Sequence, residues 1–259
     1  MNFVDKLFSI RKNGIRTHLT ILGIKFSYRS KTLGYQYRIN AAFLHSQVFP
    51  KYKNCNAGKD VVILATGPTL ADFEPIDNAV YIGVNRAFQY NKVKLDYAFI
   101  FDNSFPTSEY LEELNQYEGN KCKKFYGISS DYDLQNCTIS ESDAIKANAE
   151  RFYLYPVKEK NMLTYNIATE AFYNSNSVVF PAIQFALWTN PKRIYLVGCD
   201  TNLNGYYNAT NTKNILKTDK IYKGWLKVRD FVKIFYPDTE IISINPVGLK
   251  GIFKDIYTK

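Results

Sequence analysis

The chain has 259 residues with 33 Lys and Arg against 24 Asp and Glu, a net charge of +9, and is 46% hydrophobic and 16% aromatic, largely through 21 Tyr and 18 Phe. That apolar content excludes a disordered chain, and the length suits one α/β domain with a sizeable core, or one domain plus an appendage. Four scattered cysteines (Cys55, Cys122, Cys137, Cys199) without a C-x-x-C pair argue against structural zinc and for a reducing compartment, the two early histidines (His18, His45) argue against a His-rich metal site, and no apolar run reaches the roughly 18 residues that span a bilayer.

The net charge sits at the N-terminus. Residues 1–53 hold ten basic side chains (Lys6, Arg11, Lys12, Arg16, Lys25, Arg29, Lys31, Arg38, Lys51, Lys53) against the single acid Asp5, so the remainder of the chain is neutral. A basic leader on a neutral body points to an anionic surface, such as lipid, a lipopolysaccharide-type acceptor or nucleic acid, and its bland counterpart is a solvated arm. Nucleic acid is the poorest of these partners, because the basic residues are confined to the leader and no nucleic-acid motif appears. Residues 1–12 fit a short amphipathic helix, with Phe3, Val4, Leu7 and Phe8 on one face, suited to a membrane interface and broken at Asn13-Gly14. Residues 18–30 read as extended and partly alternating, pairing as a hairpin with 31–38, and the pattern turns helical over 40–49. The apolar stretch 19–24 is too short for a signal peptide and lacks a cleavage site, so the expected location is cytoplasmic and peripheral on the inner membrane.

From Lys59 the rhythm becomes regular. KDVVILATGPTL (59–70) reads as a strand buried on both faces over 61–65, running into the tight turn Thr66-Gly67-Pro68-Thr69 and a short helix over 70–73. Gly67 lets backbone approach a ligand, Pro68 suits a first helical turn, and the Thr66 and Thr69 hydroxyls with the N–H groups after the strand make a phosphate or sugar site. AVYIGV (79–84) is a second strand, closed by Asn85-Arg86 and a helix-like piece over 87–91. YAFIF (97–101) is a third, closed by Asp102-Asn103-Ser104, with Thr107 or Ser108 capping the next helix. Short strands follow at 124–128 and 152–155, on either side of a polar, irregular stretch over 129–150. Residues 175–189 are helical in period, and Pro181 either kinks this helix or places its true start nearer residue 180. RIYLV (193–197) is a buried strand ending at Gly198-Cys199-Asp200, 220–235 is an amphipathic helix, and 240–244 is the last clear strand, closed by Asn245-Pro246.

Strands alternating with helices predict an α/β fold: a Rossmann-like, mostly parallel sheet flanked by helices, with a basic N-terminal extension over 1–58 and the sheet domain over 59–259. The strand tips then gather Thr66/Thr69, Asn85/Arg86, Asp102/Asn103, Asp200/Asn202 and Asn245 on one edge. Such residues are common turn formers, yet that edge is where α/β sheets bind ligands.

ILATGPTL (63–70), IGVNRAF (82–88), AFIFDNS (98–104) and SNSVVFPAIQFAL followed by KRIYLVGCD (175–200) resemble, in order and spacing, the bacterial sialyltransferases with a single Rossmann-like nucleotide domain. They also resemble the wider related domain family that includes flagellin glycosylation factors and an archaeal pterin diphosphokinase. The likeness spans about residues 59–210, and the ILGIKF phrase of the leader is similar to N-terminal segments of lipopolysaccharide and O-antigen glycosyltransferases. The resemblance implies a CMP-sugar donor held without metal or resident cofactor. It implies donor contacts at Thr66, Gly67, Pro68, Thr69, Asn85, Arg86, Asn103, Ser175, Asn176, Ser177 and Asn202, with Tyr206 and Tyr207 stabilising the leaving phosphate. Those sialyltransferases use a C-terminal histidine as general base. This chain has none after His45, which leaves Asp102 and Asp200 as candidate bases.

The function implied is transfer of sialic acid or a related acidic sugar from a CMP-sugar to a glycan or lipid-linked glycan acceptor in lipopolysaccharide, O-antigen or capsule synthesis. The basic leader would dock the enzyme on an anionic membrane surface. The alternatives are an ATP/Mg-dependent diphosphokinase of the pterin type, with Asp102 and Asp200 on the metal, and a non-catalytic nucleotide-sugar-binding protein. The sequence leaves the oligomeric state open between a monomer and a homo-oligomer.

Overall fold

The computed structural model describes residues 7–13, 16–29, 31–101, 107–118, 121–129, 139, 141–155, 162–201, 205, 207 and 218–258. Two sheets are formed. The leader folds into a small antiparallel sheet, β1 (Phe8–Asn13), β2 (Arg16–Ile21) and β3 (Ile24–Arg29), in that order. Residues 8–13 are therefore a strand rather than part of an amphipathic helix, while residues 1–6 of that reading lie outside the described residues. The two-residue period wins here because β2 offers a backbone partner to every residue of β1. The hairpin also closes earlier than expected: Ile21 faces Ile24 across the Leu22-Gly23 turn, and 31–38 open a helix, α1 (Lys31–Val48).

The second sheet has eight strands: β4 (Asp60–Leu64), β5 (Val80–Val84), β6 (Tyr97–Ile100), β7 (Lys123–Ser129), β8 (Glu150–Leu154), β9 (Arg193–Val197), β10 (Glu240–Ile244) and β11 (Lys254–Ile256). Their spatial order is β11-β10-β9-β4-β5-β6-β7-β8, with parallel pairing throughout. The chain starts in the middle with β4, steps outward to β8, then returns to the other side of β4 with β9. This is the α/β, Rossmann-like arrangement expected from the alternating elements, with its topological switch point between β4 and β9. The short β11 had no readable pattern, since three residues carry no period.

The aliphatic strands are buried on both faces, which is why they lack polar alternation. Val61, Ile63, Ile82, Phe99, Phe125, Ile194 and Ile241 join one core, and Val62, Leu64, Ala98, Ile100, Tyr126, Val197 and Ile242 the other. The first core packs α4 (Val179–Trp188) and α5 (Thr218–Phe235). The second packs the 3₁₀ turns Pro68–Asp72 and Asn85–Gln89 with α2 (Thr107–Gln116) and α3 (Glu141–Lys146). The irregular stretch after β7 thus holds a short helix; residues 130–138 and 140 of it lie outside the described residues.

The first core is aromatic at its centre. Phe99 stacks on Phe125 at 4.6 Å between centroids, Phe49 stacks on Phe125 at 5.9 Å, and Phe152, Phe172 and Phe185 pack edgewise or tilted around them. Such pairs contribute about 0.5–1.5 kcal/mol each beyond buried area. Phe49 follows α1, so the second half of the basic leader is built into this core. His45 of α1 is fully buried. Its Nδ1 lies 2.8 Å from the Ile167 carbonyl, and its Nε2 accepts the Tyr153 N–H at 2.8 Å, so the neutral ring joins α1 to β8 and to the 163–172 segment. Burial lowers its pKa to about 4.

α4 directs the site. Nearly every residue in it is apolar and buried, and Pro181 falls in its first turn, where no backbone donor is needed. Its C-terminal end meets the segment before β4: Asn54 N–H donates to the Trp188 carbonyl at 3.1 Å, and Asn56 N–H to the Thr189 carbonyl at 3.0 Å. α4 therefore runs antiparallel to the strands, and its N-terminus emerges at their carboxyl edge.

Candidate active site at the carboxyl edge

The β4 and β9 tips are locked together. Ala65 N–H continues the ladder to the Val197 carbonyl at 2.9 Å, and Gly67 N–H donates to the Gly198 carbonyl at 2.8 Å. Asp200, only 4% exposed, accepts the Thr69 N–H at 2.9 Å on Oδ2 and the Thr69 hydroxyl at 2.5 Å on Oδ1. Burial pushes the Asp200 carboxyl up, and the two Thr69 bonds pull it back. The approach is too close for any side chain at residue 67. A Cβ there would lie 2.2 Å from Asp200 Oδ2 and 2.5 Å from the Gly198 carbonyl. Gly198 itself has φ +65, and its own Cβ would lie 2.5 Å from the Ala65 carbonyl. Two glycines and one carboxylate thus close the switch point, with Pro68 opening the 3₁₀ turn just above it.

Further residues join this group. Tyr207 N–H donates to the Thr66 carbonyl at 3.0 Å, and its ring meets Tyr90 edge-on at 5.9 Å. Burial raises the Tyr207 pKa, as does the neighbouring Tyr90, so its hydroxyl stays protonated and able to donate at neutral pH. Gly248 N–H donates to the Asp200 carbonyl at 2.8 Å, and a Cβ on Gly248 would lie 2.4 Å from that oxygen. Gly248 carried no sequence signal, because its role exists only once the segment after β10 is laid against β9.

Asn85 closes β5 in the left-handed region, φ 49, with Arg86 half-buried beside it. The Asn85 Oδ1 is buried without a hydrogen-bond partner. Asn176 mirrors it just before α4: φ is 62, its backbone N–H donates to Asn174 Oδ1 at 3.0 Å, and its side-chain Nδ2 is buried without a partner. Around it the loop is held firmly. Ser175 Oγ donates to the Lys220 carbonyl at 2.8 Å, Ser177 Oγ accepts the Val179 N–H at 3.4 Å, and the Gln184 amide bonds Tyr173 N–H and carbonyl at 3.1 and 3.0 Å. Asn174, buried in the same Asn-Ser run, is a supporting residue that its neighbours in sequence could have flagged.

The fold therefore gathers Thr66, Gly67, Pro68, Thr69, Asp200 and Tyr207 into one bonded group, and brings Asn85, Arg86, Ser175, Asn176 and Ser177 to the same edge. Asp102, Asn103, Asn202 and Tyr206 lie outside the described residues. No group of three His, Cys, Asp or Glu side chains with the spacing of a metal site occurs among the described residues, and no helix among them is long and apolar enough to cross a membrane.

No protein-family model and no curated protein matches the chain. Among solved structures, it is similar to the sialyltransferase CstII from Campylobacter jejuni in complex with a substrate analogue, cytidine-5′-monophosphate. The identity is 16%, with 73% of this chain and 80% of that chain covered, at a TM-score of 0.42. A second sialyltransferase CST-II structure, of a point variant in complex with CMP, is similar at 14% identity, covering 71% of this chain and 80% of that one, at a TM-score of 0.35.

Proposed function

We propose that the protein is a glycosyltransferase that binds a nucleotide sugar across the β4–β9 switch point and passes the sugar to a glycan acceptor. The observation that carries this reading is the pair of buried, unpartnered amide atoms at the carboxyl edge, Asn85 Oδ1 and Asn176 Nδ2. A buried polar atom left unpaired costs about 1–3 kcal/mol, and a ligand that pairs it recovers that cost. The two atoms ask for opposite partners. Asn85 Oδ1 accepts, and suits an amino or hydroxyl group; Asn176 Nδ2 donates, and with the positive end of α4 beside it suits a phosphate.

CMP carries both, an exocyclic amino group on the base and one phosphate. The donor we favour is accordingly a CMP-linked acidic sugar such as sialic acid, used in cell-surface polysaccharide synthesis. An acceptor hydroxyl would attack the anomeric carbon as its bond to the CMP phosphate breaks. The acceptor proton would pass to Asp102, which follows β6 in the sequence, and the phosphate would depart toward the hydroxyls of Tyr206 and Tyr207. Asp200, both of whose oxygens are engaged by Thr69, is assigned as the positioning residue of the turn. This chemistry asks for no metal, since CMP leaves with a single phosphate.

The test is a thermal-shift screen with CMP, CDP, UDP, GDP and ATP, each with and without Mg²⁺, followed by transfer assays with CMP-sialic acid. Native-state binding raises stability by about 2.7 kcal/mol at a hundredfold excess over Kd. A metal-independent shift with CMP is the expected result. A shift with ATP only in the presence of Mg²⁺ would replace this reading with a diphosphokinase, and a CMP shift without transfer would leave a binding protein.

A further inference from the structure

The cross-strand register of the small N-terminal sheet sorts its side chains into two unlike faces. Phe8, Ile21 and Ile24 form one row and Ile10, Leu19 and Phe26 the next on the same side, so this face is apolar across all three strands in the two rows nearest the turn. The opposite face carries Ser9, Thr20 and Lys25, then Arg11, His18 and Ser27. The apolar face is not spent on folding. Ile10 is 68% exposed, Ile24 62% and Phe26 50%. β1 and β3 are both edge strands, so Arg11 and Lys25 stand at the two margins of the sheet, on the face opposite the apolar one.

The turn at the end of this face is the sharper sign. Leu22 and Gly23 form a two-residue hairpin loop with φ of 50 and 82. A turn with positive φ at both positions prefers Asn-Gly, because a branched aliphatic side chain strains the left-handed region while asparagine tolerates it. Here the first position is leucine, and it is 67% exposed. Neither local backbone preference nor burial explains that choice, and a residue that breaks the local rule without a packing gain marks a functional position.

We infer that this sheet is a membrane-docking device: the Leu22 tip and the apolar face enter the interfacial layer of an anionic bilayer, and the positive charge of the leader, Lys25 included, draws it to that surface. Charge complementarity selects anionic lipid over a second protein copy, because residues 1–53 carry ten bases against one acid, and two such copies would repel. The inference is independent of the nucleotide-sugar reading.

Co-sedimentation of the full chain with phosphatidylcholine vesicles, with and without about one third phosphatidylglycerol, tests it. Binding is expected only with the anionic lipid. Leu22→Asn is expected to weaken binding about tenfold, the order expected for a lost apolar side chain, while the melting temperature stays level or rises by a few degrees, since asparagine relaxes the turn. Lys25→Glu is expected to weaken anionic binding as well. Equal binding to neutral vesicles, or unchanged binding by Leu22→Asn, would overturn the inference. So would concentration-dependent dimerisation in sedimentation velocity that Leu22→Asn abolishes without any vesicle binding, which would assign the face to a second copy.

Discussion

Thr69 and Asp200, 131 residues apart, make a two-point contact: one carboxylate takes both the backbone N–H and the hydroxyl of the threonine. Because β9 lies beside β4, this contact closes the turn at the place where a parallel α/β sheet binds its ligand. Thr69→Val removes one donor and leaves a buried carboxylate oxygen unpaired. Destabilisation of about 1–3 kcal/mol is expected in urea melts, together with loss of the CMP-induced thermal shift. Asp200→Ala is expected to cost at least as much.

Gly67→Ala is a steric test of the same closure. Residue 67 has φ −67, which alanine adopts freely, so any loss comes from the Cβ itself. That atom would be 2.2 Å from Asp200 and 2.5 Å from backbone. The turn must move, at a cost of about 1–3 kcal/mol by the usual overpacking penalty. If the variant kept full stability and nucleotide binding, the close approach would have no role in the site.

Asn85 and Asn176 are expected to behave in the opposite sense. Replacing either with glycine preserves the left-handed backbone while removing an amide that has an unpartnered buried atom. Stability should change by no more than about 1 kcal/mol, whereas the affinity for CMP, read by titration calorimetry, should fall about tenfold or more, one lost hydrogen bond to the ligand being worth about that factor. Stability loss with unchanged affinity would make these asparagines structural.

His45 gives the fold a pH dependence of calculable sign. Its pKa is 6.5 when unfolded and about 4 when buried, so the unfolded chain takes up a proton between those values and the native state does not. The contribution is fully present above about pH 6.5 and declines as pH falls toward 4, to a total of about 3 kcal/mol. Urea midpoints measured across that window should show a slope in the native chain that His45→Gln lacks. A common slope in both would place the titration elsewhere.

Much of the architecture was legible in the residues. The runs 61–65, 97–101, 193–197 and 240–244 lack polar alternation because both faces of the sheet are covered, and their observed bounds fall within one residue of that reading. Pro181 left a choice between a kink and a helix start, and the structure takes the second, with α4 beginning at Val179. The leader misled. Phe3, Val4, Leu7 and Phe8 fit a helical spacing, but Phe8 and Ile10 equally fit a period of two, and only a partner strand decides between them. The site was legible as a set of strand tips but not as a set of bonds. Gly248 was invisible because its role is a contact with the Asp200 carbonyl, which another segment brings near.

The sequence by itself determined which segments bury both faces, where the central strands β4, β6, β9 and β10 stop to within a residue, and that the positive charge lies in the first 53 residues. Those are local properties, set by side-chain volume, branching and charge. Only the tertiary structure decided that the chain returns beside β4 after β8, that Asp200 therefore latches Thr69, that His45 is sealed neutral in the core, and that the leader shows one apolar and one basic face. Each of these depends on which distant segments meet. That choice is made by the summed packing and hydrogen bonding of whole layers, a quantity that no local run of residues contains.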